Sequence, residues 1–420
     1  MASPPCFQLQ TLHPNSINDG KIEEQKSKEL LEVEIISKGH IKPASPTPPL
    51  LRIYKFSILD QLNVHVYVPL VYFYPNDQTS NSNNLSEIIS ERRNLLKKSL
   101  SETLSYFYPF AGKIKDHLHI DCNDDGVFYI EARVNHNLFN FLSRPKNSLI
   151  HNLLPFHPSC DELISKKCIA MIQVNIFNCG GIAIGIYTSH KLVDGQTHLT
   201  FFKAWPANSS GFSQQIFPSL ISPSLFLQNP NFPKDSSLFM WPSLKYQRKN
   251  VTRRLAFEGS NLVALKAKIG ANPSRVTAVT GLIWKCVMSA SKTRWGCQKP
   301  SILSLAVNLR ERNFPPMTPY AIGNIYWSAI AQLESNSNLG LDFLIGRLRE
   351  SVEQINSDFI EDFKGLDIPM LTNLIFLMDD KSGDGIEAWI TLDEQDMKIV
   401  EQDPELLAFA SLDPSPCDTL

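Results

Sequence analysis

Two apolar runs, Ala170–Phe177 and Ile182–Ser189, are the strongest constraint on what this chain can fold into. They flank the turn sequence Asn178-Cys-Gly-Gly181, and their β-branched residues predict two neighbouring buried strands. A helical pattern follows immediately, with Leu199 and Phe202 on its apolar face. A buried strand pair that leads directly into a helix is typical of an α/β domain.

Residues 190–195 lie between the second strand and the helix and read H-x-x-x-D-G. A histidine at a strand end can take a proton from a hydroxyl at neutral pH. The other interpretation is structural: His190 packs, Asp194 caps the helix and Gly195 eases the turn. In α/β folds ligands bind beyond strand ends, so the position also suits a site. The residues alone leave both interpretations open, and all ten histidines lie at or before position 198.

The length of 420 residues exceeds what a single hydrophobic core usually supports, so we expect two domains. Polar residues 1–32 lack a pattern and predict a disordered leader. Residues 33–205 form the first expected domain, and the Pro- and Ser-rich stretch 206–250 is the expected crossover linker. Residues 251–420 form the second expected domain, with helices over 261–269 and 274–291 and a late hairpin around 382–385.

Charge and cysteine content limit the expected partners and location. A net charge of −2 gives no electrostatic reason to expect nucleic acid or an anionic membrane. No apolar run approaches the roughly 18 residues of a membrane helix. The eight cysteines show no paired spacing, which predicts reduced thiols and a cytoplasmic protein.

Other motifs in the chain have simpler interpretations. Asp121-Cys-Asn-Asp-Asp125-Gly126 matches the first half of an EF-hand loop, but Ala132 stands at the twelfth position, so we interpret it as a turn within a hairpin over 117–133. The chain has no P-loop, no zinc spacing and no Gly-x-Ser-x-Gly elbow. A catalytic pair of Cys179 and His190 is an open alternative, although nothing in the sequence positions a third catalytic residue.

Taken in order, several short segments resemble the plant BAHD acyltransferases, and within them the alkaloid acetyltransferase branch. The resemblance covers roughly residues 35–365 and 372–412. It rests on Ile41-Lys-Pro-Ala-Ser-Pro-Thr-Pro-Pro49, Tyr108-Pro-Phe-Ala-Gly112, Asp121-Cys-Asn-Asp124, Cys179-Gly-Gly181, residues 190–195, Ala306-Val-Asn-Leu-Arg310, Gly323-Asn324 and residues 379–389.

The resemblance implies a fold and a reaction. The fold would be two chloramphenicol-acetyltransferase-like domains, each a mixed β-sheet with flanking helices, with a solvent channel between them. His190 would act as the general base that deprotonates a hydroxyl of a specialised metabolite such as an alkaloid. The acyl donor would be acyl-CoA, expected to be acetyl-CoA, as co-substrate; no permanently bound cofactor and no metal is implied. We expect a monomer.

Further site residues are implied by the same resemblance. Asp194 and Gly195 would support the loop that carries His190, with Arg310 as the counterion of Asp194. Ser274, Arg275 and Thr277 match the region that lines the CoA channel.

The chain departs from the family pattern in its second half. The family motif Asp-Phe-Gly-Trp-Gly is absent, and only residues 366–370 lie between segments that flank it in the family. Several dozen residues are therefore expected to be missing. This motivates an alternative interpretation: a truncated, catalytically inactive member of the family, or a mis-spliced gene model.

Overall fold

The computed structural model describes residues 7–10, 31–76, 85–143, 147–155, 167–208, 215–232, 250–270, 272–312, 317–356, 359, 374–379 and 383–413. The chain divides into two compact units. The first contains Met1–Ser237, Met317–Ile325 and Leu420, and the second contains Leu238–Pro316 and Tyr326–Thr419.

A mixed six-stranded sheet forms the centre of the first unit. Its order is β1-β4-β9-β8-β7-β2. The strands are β1 (Phe7–Gln10), β2 (Val33–Ile41), β4 (Tyr67–Tyr74), β7 (Val127–Val134), β8 (Ala170–Phe177) and β9 (Ile182–Ser189). Only the β7–β8 pair in this sheet is parallel among the described strands. Every residue of β8 and β9 is buried, which confirms the predicted strand pair.

One strand of this sheet comes from the expected leader. Residues Phe7–Gln10 pair with β4 in antiparallel register, so the prediction of a disordered leader over 1–32 is wrong at these four positions. Alternating apolar residues in this short stretch fit an added edge strand. Residues 1–6 and 11–30 of the expected leader lie outside the described part of the chain.

A small three-stranded sheet, ordered β3-β6-β5, belongs to the same unit. It consists of β3 (Ile53–Lys55), β5 (Lys113–Ile114) and β6 (His119–Asp121). The predicted hairpin over 117–133 is wrong, because β6 pairs with β3 and β5 whereas β7 pairs with β2 and β8. The Asp-rich stretch after β6 connects two different sheets, with Asp124 at a φ of +59°.

The first unit also contains several helices in its described part. They are α1 (Ile58–Leu62), α2 (Leu85–Tyr106), α3 (Leu138–Ser143), α4 (Asn147–Ile150), α5 (Gly195–Ala207) and α6 (Ser222–Leu225). Aromatic stacking holds helix α5 in place. Phe202 stacks on Tyr72 of β4 with ring centroids 4.1 Å apart. Phe201 stacks on Phe110, in the 3-10 turn after α2, at 4.6 Å. The start of α5 follows the end of β9 after residues 190–194.

The short segment Met317–Ile325 returns to the first unit from much later in the sequence. Its Ile322 is buried in the core of that unit and donates its backbone N–H to Ser219 O at 2.8 Å. Sequence patterns gave no sign of this return, because the segment is too short to carry a periodic signal.

The second unit contains the predicted late elements. Its four-stranded sheet has the order β13-β14-β10-β15, and β11 and β12 form a separate antiparallel pair. The strands are β10 (Asn250–Phe257), β11 (Ser301–Asn308), β12 (Tyr326–Leu333), β13 (Leu374–Asp379), β14 (Ile386–Asp393) and β15 (Ser411–Leu412). The helices are α7 (Gly259–Ile269), α8 (Arg275–Trp295), α9 (Leu341–Glu353), α10 (Glu394–Val400) and α11 (Pro404–Leu407).

The start of helix α8 and the late hairpin of this unit agree with the elements predicted from the sequence. Helix α8 begins after the N-cap residue Ser274 and ends at Gly296, whose φ of +74° provides a left-handed C-cap. The β13–β14 pair is the predicted late hairpin. Across both units, no described helix combines the length and the apolar character needed to span a membrane.

Candidate active site

His190 follows directly after a central strand of the first unit. Strand β9 ends at Ser189, and the His190 N–H donates to Val66 O at 2.9 Å. The N–H groups of Leu192 and Val193 both donate to Ser189 O, at 3.2 and 3.1 Å, which closes a tight turn. Leu192 and Val193 are buried, while the His190 side chain stays partly exposed. The imidazole is therefore held at the strand end by a fixed backbone.

Asn324, from the returning segment, contacts the imidazole. Its Oδ1 lies 3.1 Å from His190 Nδ1. Its Nδ2 donates to the carbonyl of His190 at 2.9 Å and to Asp60 Oδ1 at 2.9 Å. The His190 carbonyl oxygen and Asp60 Oδ1 both act as acceptors here, so the NH₂ group of the amide must face them.

The orientation of this amide assigns the His190 tautomer. Because Asn324 presents an oxygen to Nδ1, the imidazole carries its proton on Nδ1 and donates it to Oδ1. The other ring nitrogen, Nε2, then bears the lone pair. This is the tautomer that lets a histidine accept a proton from a substrate hydroxyl at Nε2.

Burial lowers the pKa of His190 below its ordinary value of 6.5, and the positive charge of Lys191 acts in the same direction. Hydrogen bonding by the histidine's own backbone, the charge of Asp194 and the bond to Asn324 oppose the shift. The lowered pKa favours the neutral imidazole. A neutral imidazole is the form in which histidine acts as a base.

Asp194 is buried and joins two parts of the site. Its Oδ1 accepts the N–H of Thr197 at 2.7 Å, which caps helix α5, and its Oδ2 accepts the N–H of Ile325 at 3.0 Å. Thr197 Oγ1 adds two bonds to Gly323, donating to the carbonyl at 3.0 Å and accepting from the N–H at 3.1 Å. The start of α5 thus holds the segment that carries Asn324.

The two other expected support residues have different surroundings. Gly195 is the first residue of α5, and a Cβ at this position would meet nothing within 4 Å. Arg310 is buried in the second unit, where its backbone N–H and Nη1 reach Asn308 Oδ1 at 3.1 and 3.2 Å. The expected Asp194–Arg310 pair joins residues of different units and stays a prediction.

The residues expected near CoA lie at the start of helix α8. Ser274 Oγ accepts the N–H of Thr277 at 3.0 Å, and the two hydroxyls are 2.7 Å apart. Arg275 Nη1 donates to the carbonyl of Gly383. Thr277 also lines a cavity of about 410 Å³ in the second unit, together with β11 residues and Arg312. Contact of these residues with CoA stays a prediction.

The Cys179–His190 alternative is wrong. Cys179 lies in the turn that precedes β9, and His190 follows the last residue of the same strand. Eight extended residues separate the two ends by roughly 26 Å. The Cys179 sulfur instead accepts the N–H of Leu138 at 3.4 Å. Among the described residues, no group of three or more His, Cys, Asp or Glu side chains could hold a metal ion.

Two residues of the site were missed as functional candidates. In the sequence, Asn324 stands out only as part of the Gly323-Asn324 motif, and Asp60 carries no functional pattern. The available signal for Asp60 was Ser57-x-x-Asp60, a capping-box spacing in front of a short helix. The junction at residues 366–370 lies outside the described residues, so its structure stays open.

Comparisons with known proteins identify the family to which this chain belongs. The sequence model of the Transferase family matches residues 31–364. A limonoid 7-O-acetyltransferase of Citrus sinensis is 37% identical over 92% of this chain and 100% of its own length. A 17,18-epoxy-17-hydroxycur-19-ene N-malonyltransferase of Strychnos nux-vomica is 32% identical over 91% of each chain. The crystal structure of vinorine synthase superposes with a TM-score of 0.77 at 29% identity, covering 91% of this chain and 99% of that one.

The alignment also bears on the missing motif. It extends over 457 positions with the Citrus enzyme, more than the 420 residues of this chain, so the relative has stretches without a counterpart here. The family match ends at residue 364, immediately before the unusual junction.

The mixed α/β architecture and the resemblance to the BAHD acyltransferases are therefore confirmed. Enzymes of this family use acyl-CoA as co-substrate and act on small-molecule acceptors. The chain belongs to the Transferase family, the BAHD acyltransferases, and is an acyl-CoA-dependent acyltransferase (EC 2.3.1.-) of specialised metabolites.

Proposed function

We propose that this chain is an O-acyltransferase in which His190 is the general base. Nε2 takes the proton of the acceptor hydroxyl while the oxygen attacks the thioester carbonyl of acyl-CoA. A C–O bond forms, the C–S bond breaks, and the proton passes from the imidazolium to the departing thiolate. The products are an ester and free CoA. The observation that carries the proposal is the amide of Asn324, which assigns the proton of His190 to Nδ1.

The proposed acyl group is acetyl. Support comes from the names of several relatives, which are O-acetyltransferases. The Strychnos relative is an N-malonyltransferase at 32% identity, so malonyl-CoA is the donor to compare with acetyl-CoA.

The proposed acceptor is a hydroxylated specialised metabolite. The sequence resemblance favours an alkaloid, and stemmadenine O-acetyltransferase of Catharanthus roseus is 31% identical. A limonoid 7-O-acetyltransferase of Citrus sinensis is 37% identical to this chain, and an epi-neemfruitin B 7-O-acetyltransferase of Melia azedarach is 36% identical. The first of these supports limonoid alcohols as an acceptor class to test beside alkaloid alcohols. The solvent channel, the monomeric state and the cytoplasmic location stay proposals as well.

A second candidate is an inactive chain that lacks part of its second domain. The observation that favours it is the short junction 366–370 together with an alignment longer than the chain. Sequencing the transcript across codons 360–375 separates a real junction from a mis-spliced one. Restored coding for Asp-Phe-Gly-Trp-Gly would favour the enzyme.

The direct test uses the purified chain as it stands. The protein is incubated with acetyl-CoA or malonyl-CoA and a panel of alkaloid and limonoid alcohols, and free thiol and ester mass are measured. We expect thiol release that depends on the acceptor, with an ester heavier than the alcohol by one acetyl group. No acceptor-dependent release with any pair would support the inactive chain.

A further inference from the structure

Asp60, on helix α1, lies directly behind the amide that contacts His190. Its side chain is fully buried. Oδ1 accepts the backbone N–H of Asn324 at 2.8 Å and its Nδ2–H at 2.9 Å. Oδ2 accepts the backbone N–H of Ser57 at 2.9 Å and its hydroxyl at 2.7 Å. One buried carboxylate therefore receives four hydrogen bonds from two residues that are far apart in sequence.

Capping of helix α1 explains only half of these contacts. Ser57 and Asp60 form a capping box, which uses Oδ2 and the Ser57 hydroxyl. The other oxygen, Oδ1, is directed at Asn324. Burial raises the pKa of Asp60, so keeping an acid here has an energetic cost that the donors from Ser57 and Asn324 oppose. A five-residue helix could be capped at the surface without that cost.

The residue before Asn324 occupies a position that favours glycine. Gly323 has a φ of +128°, which favours glycine. A Cβ added at Gly323 would lie 3.0 Å from Ser222 Oγ and 3.6 Å from Asp60 Oδ1. The contact with Ser222 would be tight and the contact with Asp60 ordinary, so the glycine lets the chain pass close to Ser222 just before Asn324.

We propose that Asp60 is a positioning residue, which orients the amide of Asn324 and through it sets the tautomer of His190. This inference rests on the proposed role of His190 as the base. If the amide turned by 180°, its NH₂ group would face Nδ1, the ring proton would move to Nε2, and the base would be lost. Asp60 Oδ1 opposes that rotation, since an amide oxygen turned toward it would meet a carboxylate oxygen. The carbonyl of His190 opposes it too, which makes the expected loss partial rather than complete.

The first measurement is the tautomer of His190 in the wild-type protein. Nitrogen-15 NMR separates protonated from unprotonated imidazole nitrogens, and the His190 signals are identified by their loss in His190→Ala. We expect a proton on Nδ1 at pH 7. A proton on Nε2 would overturn the proposal, whether or not any Asp60 variant folds.

The second measurement compares two variants of the capping box. Asp60→Ala removes both carboxylate oxygens, the one that accepts from Asn324 and the one that accepts from Ser57. We expect a mixture of the two His190 tautomers and a kcat roughly 10- to 100-fold lower, with a smaller change in KM. Ser57→Ala removes the cap hydroxyl but keeps the two hydrogen bonds that Asn324 donates to Asp60. It should lower thermal stability while keeping the wild-type tautomer and kcat. Equal losses of kcat in the two variants would show that Asp60 acts only through the helix.

The third measurement tests whether Asp60 acts through Asn324. Asn324→Ala should reproduce the loss seen in Asp60→Ala, and the double variant should be no slower than Asn324→Ala alone. If the two losses of kcat multiply in the double variant, Asp60 does not act through Asn324 and the proposal is overturned. Absence of turnover by the wild type would refute the proposed function instead, because the tautomer measurement needs no substrate.

Discussion

Asp194 accepts the N–H of Ile325 at 3.0 Å, and this bond links the start of helix α5 to the segment that orients His190. The same carboxylate caps the helix through Thr197 at 2.7 Å. The sequence resemblance implied that Asp194 supports the loop of His190. The structure extends that support to Asn324, one residue before Ile325.

Replacement of Asp194 tests this double role. Asp194→Ala leaves two backbone N–H groups without their acceptor, so we expect the free energy of unfolding to fall by about 1–3 kcal/mol and kcat to fall with it. Urea denaturation and steady-state kinetics measure the two effects. Asp403→Ala is the matched control, because Asp403 caps helix α11 by accepting from Glu405 and Leu406 far from His190 in the sequence. Asp403→Ala should lower the free energy of unfolding and leave kcat unchanged. An unchanged kcat in Asp194→Ala would contradict the proposed role of Asp194 at the site.

Gly323 is predicted to be intolerant of a side chain. Gly323→Ala combines a φ of +128° with a Cβ 3.0 Å from Ser222 Oγ, so we expect a loss of about 1–3 kcal/mol in unfolding free energy. Gly346→Ala is the control, since a Cβ there meets nothing within 4 Å and the residue lies in helix α9. That change should stabilise the protein by about 0.5–1 kcal/mol. Equal melting temperatures of the two variants would show that segment 317–325 is not tightly held.

The pH dependence of kcat/KM should report the lowered pKa of His190. A base must be unprotonated, so activity should rise through a pKa below 6.5 and be constant at neutral pH. Asp194 raises this pKa and Lys191 lowers it. Asp194→Asn should therefore move the acid limb to lower pH, and Lys191→Met should move it to higher pH. Shifts in the same direction for both variants would exclude His190 as the titrating group.

His198 makes the protein sensitive to acid. Burial lowers its pKa to about 3, and its Nε2 lies 2.7 Å from the Tyr72 hydroxyl. Below pH 6.5 the unfolded chain binds a proton at this residue before the folded chain does, so stability should fall as pH decreases from 6.5 toward 3. His198→Gln keeps a polar partner for Tyr72 and removes the titration. Its unfolding free energy should decline less over this window, and a parallel decline in both proteins would contradict the assignment.

Local patterns predicted the elements of the site but not its long-range contacts. The strand pair, the turn with His190 and the capped helix α5 depend on neighbouring residues, and periodicity shows them. Asp60 and Asn324 are 264 residues apart, and no periodic signal connects them. The wrong hairpin over 117–133 has the same cause, because strand pairing in β6 depends on β3 rather than on the next strand in sequence.

The most direct test of the account is the turnover of His190→Ala with the acyl donor and acceptor that the wild type uses. We expect ester formation to fall by about 10²–10⁴, with CoA binding by calorimetry unchanged. His119→Ala, on strand β6, serves as the histidine control and should keep wild-type turnover. Wild-type turnover by His190→Ala would contradict the central claim that this histidine is the base.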